Sequence, residues 1–260
     1  MTSEKPARPS IDLNADLGEY TGTSGAAGDD AILGVVTSAN VACGAHAGDA
    51  AVMQRTVEAA ASRGVSIGAH PSYPDREGFG RREMELSPRE LSAEIVSQVE
   101  ALAACCAKAG TRLLYVKPHG ALYNVAAREA AVARVVAEAV RRVSPGLVLL
   151  GLAGSALVRE GERAGLAVAR EAFADRAYLP DGTLLSRDRA GAVLHDAGQV
   201  AKRALIMARD GAVTSVDGIR LRVIADSLCV HGDNPEALAL VTATRQALED
   251  GGFTIAPFAT

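Results

Sequence analysis

Apolar and polar residues alternate in the segment IDLNADLGEY, residues 11–20, close to the start of the chain. Apolar residues take every second position, and Asp12, Asn14 and Asp16 lie between them. On a β-strand, alternate side chains point to the same face. The pattern therefore predicts a first strand that carries three polar side chains in one row, and it raises the question of what that row faces.

Seven apolar segments alternate with amphipathic segments along the rest of the chain. The predicted strands are residues 10–16, 35–42, 65–69, 112–117, 147–152, 166–171 and 221–227. The predicted helices are residues 49–64, 87–110, 124–143, 196–211 and 234–251. Several strands, such as LVLLGLA at 147–153, are nearly continuous in apolar residues, which is typical of strands buried on both faces of a parallel sheet.

Helix start signals support these boundaries. Ser87, Pro88 and Glu90 have the spacing of a capping box with proline in the first turn. Asp49 and Asp233 each come directly before a predicted helix, so we interpret them as N-caps.

Repeated strand–helix units indicate an α/β fold with a parallel sheet. No GxGxxG motif follows the first strand, which disfavours a dinucleotide-binding doubly wound sheet. The length of 260 residues is typical of a single α/β barrel. We therefore expect a TIM-like (β/α) barrel of seven or eight strands, with seven predicted, as one domain over residues 11–260 after a flexible leader at residues 1–10.

Composition narrows the classes of partner. The net charge is −4, tryptophan is absent, and aromatic residues make up 3% of the chain, so neither a nucleic acid nor a polymeric ligand is predicted. No run of about 18 apolar residues exists, so no membrane partner is expected. Residues 1–10 are polar and lack the apolar core of a signal peptide, so a cytoplasmic location is expected. In that context the four cysteines, which form no metal-type CxxC pair, are predicted to be free thiols.

Functional side chains of parallel barrels collect at the carboxyl ends of the strands. Polar residues follow most of the predicted strands here, and four of the five histidines are among them. In chain order these candidates are Asp12, Asn14, Asp16, Glu19, Asn40, His46, His70, Arg81, Lys117, His119, Tyr123, Asn124, Asp175, Arg176 and His231. Histidines placed by packing alone would not be expected to gather at one end of a barrel.

Carboxylates, imidazoles and a lysine at one barrel mouth suit acid/base hydrolysis of a small polar substrate. Lys117 would stabilise an oxyanion in such a reaction. The predicted catalytic residues are Asp12, Asn14, Asp16, His46, His70, Lys117 and His119. Two alternatives stay open: Asp12 and Asn14 as a hydrogen-bonded buried network, and a divalent metal ion held by Asp12, His46 and His70.

Common short motifs are absent. The EF-hand pattern fails because Leu17 takes the glycine position and Thr23 the glutamate position. The chain has no GxxxxGK[ST], HExxH or GxSxG motif.

Six longer motifs resemble the LamB/YcsF family. They are DLNADLGE, NVACGAHAGD, GAHPSYPDREGFGRR, VKPHGALYN, EAFADRAY and SLCVHGDNP, and the resemblance extends in order from Ile11 to Phe258. It implies a barrel related to the glycoside hydrolase/deacetylase group. It also implies ATP-dependent hydrolysis of 5-oxo-L-proline to L-glutamate together with two partner subunits, B and C.

The resemblance also guides the expected roles. Since the chain lacks a P-loop, ATP and Mg²⁺ are expected to act at the level of the complex, on the partner subunits. The predicted substrate-binding residues are Glu19, Asn40, Arg81, Tyr123, Asn124, Asp175, Arg176 and His231. A metal-dependent deacetylase of a small N-acyl or sugar substrate remains an alternative, although the His-x-x-x-His pair usual there is absent. A non-catalytic subunit that only binds the substrate is the second alternative.

Overall fold

A computed structural model describes residues 9–230 and 236–260. The strands in chain order are β1 (Ser10–Leu17), β2 (Ser38–Ala42), β3 (Ser66–His70), β4 (Tyr115–Val116), β5 (Val148–Leu152), β6 (Val168–Phe173), β7 (Ala212–Thr214), β8 (Arg220–Arg222), β9 (Ser227–Cys229) and β10 (Thr254–Ile255). The helices are α1 (Ala26–Leu33), α2 (Ala50–Ser62), α3 (Pro88–Lys108), α4 (Gly120–Arg128), α5 (Ala130–Val143), α6 (Ala156–Arg163), α7 (Ala197–Asp210) and α8 (Ala237–Asp250).

Seven parallel strands close into a barrel. The order is β1-β2-β3-β4-β5-β6-β9, and β9 pairs back onto β1. Helices follow most of the strands and pack outside them, so the strands are buried on both faces. The predicted fold class, a TIM-like barrel with seven strands, is therefore confirmed.

The predicted strand 221–227 was wrong. Arg220–Arg222 instead forms an antiparallel hairpin with β7, and the seventh barrel strand begins only at Ser227. Between them, Asp226 pairs with Arg170 at a partly exposed position. The apolar residues near 221–224 therefore belong to the hairpin and its exit, and not to the barrel.

The predicted helix 124–143 was also wrong, because it is two helices. Glu129 has an extended backbone (φ −104°, ψ 107°) that ends α4 and begins α5. The alanine- and valine-rich pattern continues through this break, so apolar periodicity does not reveal it. Helices α1 and α6, each of eight residues, were not predicted.

The amino end of the barrel is closed by the end of the chain. β10 pairs with Ser10 and Ile11 of β1, so the ordered barrel starts one residue inside the predicted leader. The Ser66 hydroxyl donates to the Ala259 carbonyl at 2.7 Å, and Phe258 packs against Tyr115 inside the barrel. Access to the barrel interior is therefore from the carboxyl ends of the strands.

The predicted caps and thiols are confirmed where the structure describes them. Asp49 accepts hydrogen bonds from two backbone N–H groups of α2, and Ser87 forms a capping box with Glu90. Asp233 lies outside the described residues. All four cysteines are free and buried. Among the helices of the described residues, none has the length and apolarity needed to cross a membrane.

Candidate active site

The polar row of β1 faces the inside of the barrel. Asn14 and Asp16 are buried, and both accept hydrogen bonds from the Asn40 amide at 2.7 and 2.8 Å. The Tyr115 hydroxyl donates to Asn40 at 2.7 Å. The interior of this barrel is therefore a hydrogen-bonded polar network at the level of these residues.

Asp12 lies at the closed end of that row, which corrects its predicted place at the mouth. It accepts hydrogen bonds from the hydroxyls of Thr37, Ser38 and Ser227, at the amino ends of the neighbouring strands. Four residues along a strand place it about 13 Å from Asp16. Burial raises the pKa of Asp12 to about 6, against the opposing effect of these hydroxyl donors.

Lys117 holds together the acids at the open end. Its ammonium lies 3.0 Å from Asp16 and 2.8 Å from Glu171, with the Asn14 side-chain oxygen at 3.3 Å. Burial opposes its charge, but these carboxylates, Asp16 foremost, outweigh burial and raise the pKa of Lys117 well above its usual range. Lys117 is therefore a fixed cation beside the cavity.

Glu171, at the end of the sixth predicted strand, is a polar strand-end residue for which the sequence predicts no catalytic or binding role. It is fully buried, and it accepts hydrogen bonds from Asn14 at 3.0 Å and from the Tyr123 hydroxyl at 2.8 Å. The signal that could have found it is a single acid among apolar residues near the end of a buried strand. Such an acid needs a buried cation, and Lys117 provides it.

Three histidines converge on Glu19. Its carboxylate lies 3.0 Å from His46, 3.2 Å from His119 and 4.0 Å from His70. His46 and His119 stack with ring centroids 3.8 Å apart, and His70 lies edge-on to both. The predicted gathering of these histidines is what the structure shows.

The histidines differ in their affinity for a proton. Burial, with the positive field of neighbouring histidines, lowers the pKa of His46 to about 3 and that of His119 well below its usual value. Burial also acts against protonation of His70, but Asp16 at 3.4 Å outweighs it, so the pKa of His70 is raised. A proton in this cluster is therefore held on His70.

Two glycines let the loops come close enough to build the cluster. A Cβ at Gly80 would lie 2.9 Å from both His46 and His119. Gly120 has a φ of +56°, and a Cβ there would lie 2.5 Å from the Gly80 carbonyl. Larger residues at either position would therefore push apart the loops that follow β3 and β4.

A cavity of about 470 Å³ opens above these groups. Its wall combines acids, imidazoles and cations with an apolar side from Phe173, Leu184 and Leu185. Polar residues on the wall are Asp16, Glu19, His70, Arg81, Glu83, Lys117, His119, Tyr123, Asn124, Arg128, Arg176, Ser186, Arg187 and Asp188. The volume and mixed lining are typical of a pocket for a small polar ligand.

The remaining predicted residues have varied places. Asn40, His46 and Asp175 are buried behind the wall, so direct contact with substrate is not expected of them. Arg176 reaches the wall, but its guanidinium donates to the carbonyls of Leu185 and Ala192, which holds the 177–193 segment in place. His231 lies outside the described residues.

The residues with metal-ligating atoms closest together differ from those predicted. Among the described residues, one such group exists: Asp16, Glu19, His70 and His119, with donor atoms all within 4.8 Å of one another. Asp12 is excluded from the predicted metal set by its position at the closed end. His46 contacts Glu19 from behind the group.

The closed seven-stranded parallel barrel places this chain among the TIM-like barrel proteins. The acids, imidazoles and lysine at its open end are residue types found in hydrolase active sites. The sequence profile of the LamB/YcsF family matches residues 11–260, and the chain belongs to that family.

Relatives cover nearly the whole chain. The A subunit of 5-oxoprolinase from Paracidovorax citrulli (strain AAC00-1) is 54% identical over 249 residues, which are 96% of this chain and 99% of the relative. The A subunit of 5-oxoprolinase from Mycobacterium avium (strain 104) is 54% identical over 248 residues, 95% of this chain and 98% of the relative.

Solved structures agree with the fold. The crystal structure of the lactam utilization protein from Thermus thermophilus has a TM-score of 0.89 at 44% identity, over 96% of this chain and 100% of that one. A structure of T48 deacetylase with substrate has a TM-score of 0.52 at 14% identity, over 96% and 88% of the two chains. The second likeness shows the fold alone.

Proposed function

We propose that this chain is the lactam-opening subunit of an ATP-dependent 5-oxoprolinase, which hydrolyses 5-oxo-L-proline to L-glutamate together with subunits B and C. The observation that carries the proposal is the Asp16–Lys117–His70 group on the wall of the cavity. The relatives are named as the A subunit of 5-oxoprolinase, which agrees with the proposal over nearly the full length of the chain.

The lining suits a small anionic lactam. The five-membered ring packs against the apolar side at Phe173, while Arg81 at the rim binds an anionic group. The Arg81 guanidinium lies 4.8 Å above the Phe79 ring, which directs it over the mouth. The anion is the substrate carboxylate or a phosphate added during activation.

Ring opening requires a water molecule, a base and a proton for the leaving nitrogen. Asp16 and His70 hold the attacking water, and Asp16 accepts its proton and returns it to the ring nitrogen as the C–N bond breaks. Lys117 keeps the carboxylate in position, and Glu171 fixes Lys117 from the other side. ATP and Mg²⁺ act on the partner subunits, where the amide oxygen is phosphorylated. C–N cleavage then leaves an acyl phosphate, and its hydrolysis by a second water molecule releases L-glutamate and phosphate.

The test is glutamate release from 5-oxo-L-proline with ATP and Mg²⁺. We would compare this chain alone, subunits B and C alone, and all three together. We expect release in the full mixture only, and its loss when Asp16→Asn replaces the wild-type chain. Release from subunits B and C without this chain would contradict the proposal.

Two alternatives have distinct outcomes in the same experiment. A substrate-binding subunit would bind 5-oxo-L-proline, and the complex would stay active with the Asp16→Asn and His70→Ala variants. A deacetylase would release acetate from small N-acetyl substrates without ATP or partners. The fold shared with T48 deacetylase is the reason for including that assay.

A further inference from the structure

Two imidazole nitrogens face each other in the candidate active site. His70 Nδ1 lies 2.7 Å from the Lys117 carbonyl, and His119 Nε2 lies 2.9 Å from the Phe79 carbonyl. A carbonyl oxygen only accepts hydrogen bonds, so these two nitrogens carry the hydrogens. In neutral rings His70 Nε2 and His119 Nδ1 are then unprotonated, and they lie 3.0 Å apart.

Two carboxylates converge on the same point. Asp16 Oδ2 lies 3.4 Å from His70 Nε2, and Glu19 Oε1 lies 3.2 Å from His119 Nδ1. Four lone-pair donors this close repel one another unless a positive charge lies among them. The Lys117 ammonium, 3.0 Å from Asp16, already supplies one charge at the edge of the group. A proton on His70 or a metal ion in the centre would supply a charge between the two imidazoles.

We propose that Asp16, Glu19, His70 and His119 bind a divalent transition-metal ion, with Zn²⁺ as the ion that fits their chemistry. Zinc bonds of about 2.0–2.1 Å in a tetrahedron place neighbouring ligand atoms about 3.3 Å apart. Of the six separations among the four ligand atoms, three are 3.0, 3.2 and 3.4 Å. His70 and Glu19 are 4.0 Å apart, and all four donor atoms lie within 4.8 Å of one another, so side-chain movements would have to complete the tetrahedron.

The surroundings provide what such ligands need. Each ligating histidine is oriented by a backbone carbonyl on its other nitrogen, as is usual for metal-bound imidazoles. Two nitrogen and two oxygen donors suit Zn²⁺. Four protein ligands fill a tetrahedron, so a bound ion would polarise the attacking water only at a fifth position or after Asp16 leaves the ion to act as the base. The inference deepens the proposed function and rests on it for the ion's part in the reaction, whereas binding itself needs neither substrate nor partners.

The test is metal binding by the purified full-length chain. The chelator-treated chain would be titrated with Zn²⁺ by calorimetry and with Co²⁺ by visible absorption, which reports nitrogen and oxygen coordination. We expect one ion per chain. His119→Gln and Glu19→Gln should each weaken binding about 100-fold or more, since even partners of metal ligands change affinity by about 10–100-fold.

The matched control is His195→Gln. His195 is exposed and pairs with Glu236 away from the cavity, so its replacement should leave both titrations unchanged. If His119→Gln does not fold by circular dichroism, Glu19→Gln carries the test, because Glu19 lies in a partly exposed loop. Absence of a stoichiometric ion in the wild-type chain, or equal affinity in folded variants, would overturn the proposal and leave the glutamate-release result intact.

Discussion

The two ends of β1 use the same kind of residue in opposite ways. Asp12, at the closed end, is buried among three hydroxyl groups beneath the C-terminal segment. Asp16, at the open end, is buried beside a lysine and a histidine, and it borders the cavity. Both acids also border pockets, so burial and access do not distinguish them, and the type of partner does. We expect the acid that is paired with a lysine and a histidine to act in the reaction.

The largest difference is expected in activity. Asp16→Asn should lower glutamate release by the complete complex about 10²–10⁴-fold, since that is the usual contribution of a positioned acid or base. Asp12→Asn should leave the rate within about threefold of the wild type. Asp12 lies at the closed end of the barrel, so we do not expect it to act as an acid or base in the reaction. Equal losses from the two variants, both folded by circular dichroism, would break the distinction between the ends.

The next effect concerns stability at the open end. Lys117→Met should lower the free energy of unfolding by about 3–5 kcal/mol, because Asp16 and Glu171 would remain buried without their cation. Urea denaturation measures the change. Adding Glu171→Gln to Lys117→Met should recover part of the loss, and an unchanged or larger loss would show that the ion pairs do not set the stability there.

At the closed end, the expected effect depends on pH. The pKa of Asp12 is about 6 in the folded chain against 3.8 in its unfolded reference, so the folded state binds the proton more tightly. Stability from this group is therefore full below about pH 4 and falls by about 3 kcal/mol as the pH rises through 6.

Denaturation of the wild type and of Asp12→Asn at several pH values tests this. The difference between their unfolding free energies should change by about 3 kcal/mol between pH 3 and 7. A difference that stays constant over this range would mean that the hydroxyl donors keep Asp12 ionised.

The smallest effect is expected from Tyr123→Phe. The change removes one hydrogen bond to Glu171, which keeps its contacts with Lys117 and Asn14. We expect a loss of about 1–3 kcal/mol in unfolding free energy, the usual cost of removing one bond to a buried charged group. A loss as large as that of Lys117→Met would show that Tyr123, and not the lysine, holds Glu171.

The barrel and the histidine cluster could be predicted from the sequence. The barrel follows from the spacing of apolar residues, and the cluster follows from the position of each histidine just after a predicted strand. Alternation in β1 predicts the polar row, and parallel strands bring His46, His70 and His119 to one end. The place of Asp12 could not be predicted, since it depends on pairing with Ser227, more than 200 residues away. The seventh barrel strand was predicted at 221–227, ahead of its true start at Ser227. The local apolar pattern does not distinguish a hairpin strand from a barrel strand, and only the distant pairing partners do.

Closure of the barrel has a consequence for how the chain folds during synthesis. β1 is made more than 200 residues before two of its neighbours, β9 and β10. One side of β1 must therefore remain without its final partners until β9 and β10 have left the ribosome. Pairing over so long a separation is slow, and an unpaired strand edge favours aggregation in the meantime. We therefore expect chains truncated before Ser227 to be insoluble rather than to accumulate as a partial barrel.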